Sequence, residues 1–513
     1  MVSPWPFFPK PWPSRYLSPL PLMPHPIVEI DELARLVIDE LVKTSPPAAV
    51  SFALTCRALE EPTLKSLWKQ QRSLTNLVRV LPGHTRVADE DDHEIIVSGR
   101  GFPVDWFRYQ FLQVIEHDPS ARDWARLRRY ASWVHGLRLD YDRNITSDTL
   151  SRISSNTPGG ILFPKLKQLF LVAHAARNAL PFFPLFLSPQ LKHVTLCTNF
   201  GLSEIPWNQS VAIVQIISSL PTSLEHLFVI AVEGKGGLVG DAISSFICRC
   251  GPSLRSVGTR VPLLEAPIHH LMQLPNLHYW TTVQPPPRIV PTFIFPSLEQ
   301  LRLADPAALP WIQLLTSHGE HDLRGSSTST TSHTNTTETL KSLECPSDTI
   351  VDSPFLGSAA MFRNLVTLHV RTHCPATARC TFRLTDEDME NFATTLPRLK
   401  NLELGKPCHS NSCSTTIASL LSISTHCLEL VSLETHFNTT TIVSDIQRLV
   451  DRGIGRDKAK CELRNLMVGF LPLVVSEEDT ETVAMGLKVV FPRLMKMSCE
   501  NERWCEVESK LGD

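Results

Sequence analysis

Leu166-Lys167-Gln168-Leu169-Phe170-Leu171 is one spelling of a block that returns along the chain. Other copies are Leu191-Lys192-His193-Val194-Thr195-Leu196, Leu224-Glu225-His226-Leu227-Phe228-Val229 and Leu298-Glu299-Gln300-Leu301-Arg302-Leu303. Leu365-Val366-Thr367-Leu368-His369-Val370, Leu399-Lys400-Asn401-Leu402-Glu403-Leu404 and Leu463-Arg464-Asn465-Leu466-Met467-Val468 continue the series. Weaker copies begin at Val134, Leu254, Leu277, Leu340, Leu430 and Leu494, so the interval is irregular, roughly 21 to 42 residues. The last two apolar positions of each block lie two residues apart, the period of a strand. They share one face, and the residues between them take the other.

Helical periodicity fills the spaces at 211–220, 241–250, 385–396, 415–427, 441–450 and 477–490. Thr385-Asp386-Glu387-Asp388 and Ser476-Glu477-Glu478-Asp479 put a hydroxyl at the helix start and acids in the first turn, where they satisfy free amides and oppose the helix dipole. Strand then helix, repeated, means parallel strands joined by right-handed crossovers. No single repeat buries enough surface to stand alone. The expected fold class is therefore α/β, an irregular leucine-rich-repeat solenoid over residues 123–513 with one concave strand face. A Ser/Thr-rich, flexible loop near 318–338 should interrupt it. Asparagine follows the Leu-x-Leu pair only at Asn199 and Asn438, so the turns should vary.

The residues between the leucines form the expected concave face. Phe170, Val172, Phe228, Ile230 and Tyr279 lie toward its N-terminal end, and Arg302, His369, Arg371, Glu403, Glu434 and His436 toward its C-terminal end. Phe170, Phe228 and Tyr279 are the candidate anchors for a substrate protein, with Arg302, His369, Arg371 and Glu403 beside them. The alternative for Phe170 and Phe228 is cover by a loop or by the small N-terminal module.

Ahead of the repeats, 1–26 is a Pro-rich arm, as in Pro4-Trp5-Pro6-Phe7-Phe8-Pro9, expected to be extended and disordered; Met23 offers a second start. Residues 27–82 read as short helices. Ile30, Leu33, Val37 and Leu41 recur at three- and four-residue steps, Pro46-Pro47 opens a second helix, Glu61-Pro62 a third, and 73–81 makes a last one. Residues 83–122 connect this module to the repeats through the acidic run Asp89-Glu90-Asp91-Asp92, read as a solvated loop.

Glu29-Ile30-Asp31-Glu32-Leu33, Ala53-Leu54-Thr55-Cys56-Arg57-Ala58, Glu61-Pro62-Thr63-Leu64 and Leu67-Trp68 together resemble the F-box-like module of fungal proteins. Leu77-Val78-Arg79-Val80-Leu81-Pro82, Asp123-Trp124-Ala125-Arg126-Leu127 and Tyr130-Ala131 extend the likeness. Glu29-Ile30 stands where many such modules have Leu-Pro, and Leu59 where they have an aromatic residue. The resemblance implies a docking surface for the Skp-type adaptor of cullin-RING (SCF) ubiquitin ligases, with Ile30, Leu33, Val37, Leu41, Leu54, Leu67 and Trp68 at the matching apolar positions. The bland alternative is that these side chains form only the module's own core.

Composition narrows the rest. At 513 residues the chain exceeds one ordinary core, its 42% apolar content is ample for burial, and a formal charge of -3 shows no basic excess that would favour nucleic acid. Thirteen scattered cysteines, with neither a secretory apolar segment nor a membrane span, suggest a reduced, cytoplasmic or nuclear setting. Gly234-Lys235-Gly236-Gly237 is too short for a phosphate loop. Cys408-His409 with Cys413, and His373-Cys374 with Cys380, lack the paired spacing of a zinc site, and no nucleophile elbow occurs. The expectation is a non-enzymatic adaptor without cofactor or metal, either a ubiquitin-ligase substrate receptor or a repeat scaffold with no ligase link.

Overall fold

The computed structural model describes residues 31–82, 84–88, 111–115, 117–139, 145–172, 179–197, 207–230, 237–287, 295–303, 308–321, 336–346, 349–370, 382–405, 414–435, 437–451, 461–469, 477–499 and 502–511. Ile30, Arg371, His436, Asn199, the Pro-rich arm, the Ser/Thr-rich run at 325–335 and the cysteine clusters around 374–380 and 408–413 lie outside the described residues. The chain divides into two compact units, Met1–Leu224 and Glu225–Asp513. The fold class is α/β, with a short all-α module followed by parallel-strand repeats.

The first unit opens with helices α1 (Asp31–Thr44), α2 (Pro46–Thr55) and α3 (Arg57–Lys69). Pro46 and Pro47 occupy the first turn of α2, where no amide hydrogen is needed. Pro62, expected to open the third helix, instead lies inside α3. The amide that proline lacks would have met the carbonyl of Ala58, an exposed residue whose backbone water can satisfy. The expected helix at 73–81 is reduced to Thr75–Val78. Ala34, Ile38 and Leu59 form the centre of the helical module, with Val42, Phe52 and Cys56 packed against them. Ser66 ties α3 to α1 by donating to Asp39 Oδ1 at 2.5 Å.

Strand β1 (Gln70–Gln71) follows α3 without a break and pairs in parallel with β2 (Gly136–Leu139). β3 (Gln168–Val172) and β4 (His193–Cys197) extend the same order. The module thus contributes a strand to the first repeats. Trp68 completes the join: it is only 5% exposed and stacks on Tyr130 at 4.9 Å, and Tyr130 meets Trp133 edge-on at 5.3 Å. Tyr130 belongs to the helix Ala121–Ala131, which a Ser120/Asp123 capping box starts. An antiparallel hairpin, His84–Ala88 with Phe111–Ile115, lies between the module and that helix in sequence.

In the second unit every main strand is parallel to its neighbours. The order is β5 (His226–Ile230), β6 (Ser256–Thr259), β7 (Tyr279–Thr282), β8 (Gln300–Leu303), β9 (Ser342–Cys345), β10 (Thr367–Val370), β11 (Asn401–Leu404), β12 (Ser432–Glu434), β13 (Asn465–Gly469) and β14 (Lys496–Cys499). The register lines up Leu227, Val257, Trp280, Leu301, Leu343, Leu368, Leu402, Leu433, Leu466 and Met497 as one buried row. Trp280 fills a leucine position and packs against Phe295 and Trp311, with ring centroids 5.0 and 4.9 Å away. Each repeat is also stapled to the one before through its backbone. Lys400 N and Asn401 N both donate to Val366 O, at 2.8 and 3.1 Å, and Val431 N and Ser432 N do the same to Lys400 O.

The crossovers carry the expected helices, including Leu238–Arg249, Asp386–Thr395, Ile417–His426, Ile442–Asp451 and Glu477–Val490. Cys427 and Cys461 sit at matching points of successive repeats, and each thiol donates to carbonyls of the preceding repeat at 3.4–3.8 Å. Burial pushes the Cys427 thiol up to about 12, so it stays protonated and can donate. Among the described residues no helix is long and apolar enough to cross a membrane.

Candidate docking surfaces

On α1 the structure separates two apolar lines that the sequence runs together. Ala34 and Ile38 point into the module, whereas Leu33, Leu36 and Val37 are 44%, 66% and 40% exposed. The spacing i, i+3, i+4 puts these three on one outward stripe. Leu54 on α2 is 74% exposed. Leu41 and Leu67 are half-buried. Trp68 is a correction: it is matched to the adaptor-binding positions in sequence, but it is 5% exposed and stacks on Tyr130 inside the unit, so its ring is not open to a partner. The sequence passed over Leu36, although it completes the exposed stripe.

Phe170, in the first unit, is half-buried on β3 with the Arg138 guanidinium 4.4 Å above its ring. Val172 is also a correction, being 5% exposed. It pairs with Cys197, which is also buried, so at this end of the strands the outward alternation stops.

The second unit gathers most of the other expected residues. Its outward row, read across the register, is Phe228, Gly258, Thr281, Arg302, Glu344, His369, Glu403, Glu434, Met467 and Ser498. Phe228 and Tyr279 pack against each other at 5.5 Å, and Tyr279 Oη accepts a hydrogen bond from Thr281 Oγ1 at 2.9 Å. The two rings meet across the intervening strand because position 258 is glycine: a Cβ there would lie 2.5 Å from Phe228 Cδ1. Next along the row, Arg302 Nε bonds Glu344 at 3.2 Å, and His369 Nδ1 lies 3.8 Å from Glu403 Oε2. A groove of about 400 Å³ is lined by Phe228, Tyr279, Thr281, Arg302, Glu344 and His369 among others.

Such a surface suits recognition, with an aromatic patch at one end and paired charges beyond it. Glu344 and Gly258 were not foreseen as part of it. Both belong to weak copies of the block, and only the register with stronger neighbours shows which way they face.

No known protein family matches the chain, and no curated protein matches it. Among solved structures it is similar to a chain from the crystal structure of the Rad7 and Elc1 complex in yeast, at 14% sequence identity and a TM-score of 0.39. The match covers 71% of this chain and 75% of that one.

Proposed function

We propose that the chain is a non-catalytic protein–protein adaptor, the substrate-recognition subunit of an SCF-type ubiquitin ligase acting in the cytoplasm or nucleus without a cofactor. In this reading the helical module docks a Skp-type adaptor, and through it a cullin, while the concave face of the second unit binds a substrate protein. The observation that carries it is the exposure of Leu33, Leu36, Val37 and Leu54 on helices whose core is filled by other residues. Fully burying a free side chain of this kind is worth about 1.5–3 kcal/mol, and these four still expose 40–74% of their surface, so together they make an apolar docking face on a small module.

Leu33→Asp with Val37→Asp tests it by co-purification with the Skp-type adaptor. Binding should be lost while circular dichroism and the melting temperature stay close to the parent's, because both side chains already face solvent. A specific observation favours a second reading. Through β1 and Trp68 the module is also built into the first repeats, as the end cap of a scaffold would be. If the unmutated chain does not co-purify with the adaptor under conditions that retain a known F-box protein, the scaffold reading replaces the ligase one.

A further inference from the structure

The strands of the first unit begin on a common line. The register Gln70, Gly136, Gln168, His193 aligns the residues just before them: Lys69, His135, Lys167 and Lys192. The backbone holds that line. His135 N donates to Lys69 O at 2.9 Å, Lys167 N to His135 O at 2.8 Å, and Lys192 N to Lys167 O at 2.9 Å. Lys165 lies two residues before Lys167, and Lys69, Lys165 and Lys167 are all exposed. With strands about 4.8 Å apart, the line from Lys69 to Lys192 spans about 14 Å.

Among the described residues Lys69, Lys165 and Lys167 make no ion pair. The half-buried imidazole of His135 feels them together: burial first, then the charges of Lys167, Lys69 and Lys165, hold its pKa below 6.5. The same line in the second unit is built differently. It runs Glu225, Arg255, His278, Glu299, Lys341, Val366, Lys400, Val431, Arg464; Lys341 Nζ bonds Glu299 Oε1 at 2.9 Å, Lys400 Nζ lies 3.5 Å from Glu429 and Arg464 Nη2 lies 3.9 Å from Glu462. There Lys341, Lys400 and Arg464 each have a carboxylate beside them. In the first unit like charges are held side by side by the register, an arrangement that repels itself until an anion arrives.

We infer that Lys69, Lys165 and Lys167 form a binding site for an acidic stretch of polypeptide, an Asp/Glu-rich segment of a partner lying across the starts of these strands. An extended segment presents carboxylates on one side about 6.6 Å apart, so two or three of them fit the row. Nucleic acid fits less well. Its affinity grows with the number of phosphates neutralised, and so few cations, flanked by Gln70 and Gln168 rather than by stacking aromatics, offer little to a long polyanion. The site uses none of Leu33, Leu36, Val37 or Leu54 and stands apart from the adaptor reading.

The test is fluorescence anisotropy with the full chain and a fluorescein-labelled ten-residue Glu/Asp peptide at low salt. Saturable binding is expected, weakening as salt rises and absent for the Gln/Asn version of the peptide. Lys165→Gln with Lys167→Gln should weaken it at least tenfold, whereas Lys341→Gln with Lys400→Gln, which removes the same charge from the second unit, should leave it unchanged. Equal weakening by both pairs, or none by the first, overturns the site. Tighter binding of a ten-nucleotide single-stranded DNA, lost in the Lys165/Lys167 variant, overturns the polypeptide assignment in favour of a phosphate backbone.

Discussion

A methyl group at position 258 would lie 2.5 Å from Phe228 Cδ1, and that single clearance decides how the aromatic end of the concave face is built. Gly258→Ala should push the Phe228 ring off Tyr279 and cost about 1–3 kcal/mol, the scale of overpacking elsewhere. Phe228→Ala removes the clash, so the double variant should be less destabilised than the two single changes summed, which a thermal-denaturation cycle measures. His135 gives a second residue-level reading. Because burial and the neighbouring lysines depress its pKa, its contribution to stability is complete above about pH 6.5 and is lost as the pH falls through the folded value. Lys167→Ala removes part of the repulsion, so His135 should titrate at a higher pH in that variant when followed by NMR, and the acid side of the stability profile should flatten. Neither feature could be read from the residues alone. A glycine in a weak block and lysines far apart in sequence acquire meaning only once the register sets them side by side.

The elements show where local chemistry was enough. Thr385 caps its helix as its sequence indicates: its hydroxyl accepts from Asp388 N at 3.2 Å, and the Asp388 carboxylate accepts from Thr385 N at 2.9 Å. For Asp388, burial acts to raise the pKa, but hydrogen bonds from the Thr385 backbone and from the Ser353 and Thr385 side chains together bring it below 3.8. That stabilisation is present above pH 3.8 and is lost as the pH falls through the folded value. Thr385→Ala should cost about 1 kcal/mol near neutral pH and less in acid, where urea unfolding at two pH values will separate the two. Helix α1 shows the opposite case. Its existence was plain from apolar spacing, but two apolar lines, 33/37 and 34/38, run one residue apart, and nothing local says which faces inward. Packing against Leu59 decided it, and Leu59 stands where the resembling family has an aromatic ring. Strand β1 was missed for a related reason: Gln70-Gln71 carries no apolar signal and is a strand only because β2 lies beside it.

At the scale of the molecule, the repeated block makes each repeat's core continuous with the next within each unit, and this much of the fold is legible because leucines two apart mean the same thing wherever they fall. Most of the expected binding residues follow from the same alternation, which is why Phe228, Tyr279, Arg302, His369 and Glu403 lie on one surface of the second unit. A stack held together by nearest neighbours also fails locally. Leu402 is 2% exposed and sits in the buried row between Leu368 and Leu433. Leu402→Ala should leave a cavity and cost about 2–5 kcal/mol. The paired backbone donors from Lys400 and Asn401 to Val366, and from Val431 and Ser432 to Lys400, carry the damage to the adjacent repeats. Amide hydrogen exchange should therefore quicken most in β10, β11 and β12, less in β8 and β14, and not at all in the helical module, whose core shares no residue with that row. A uniform rise in exchange across the whole chain would mean that it unfolds as a single cooperative body rather than as coupled repeats.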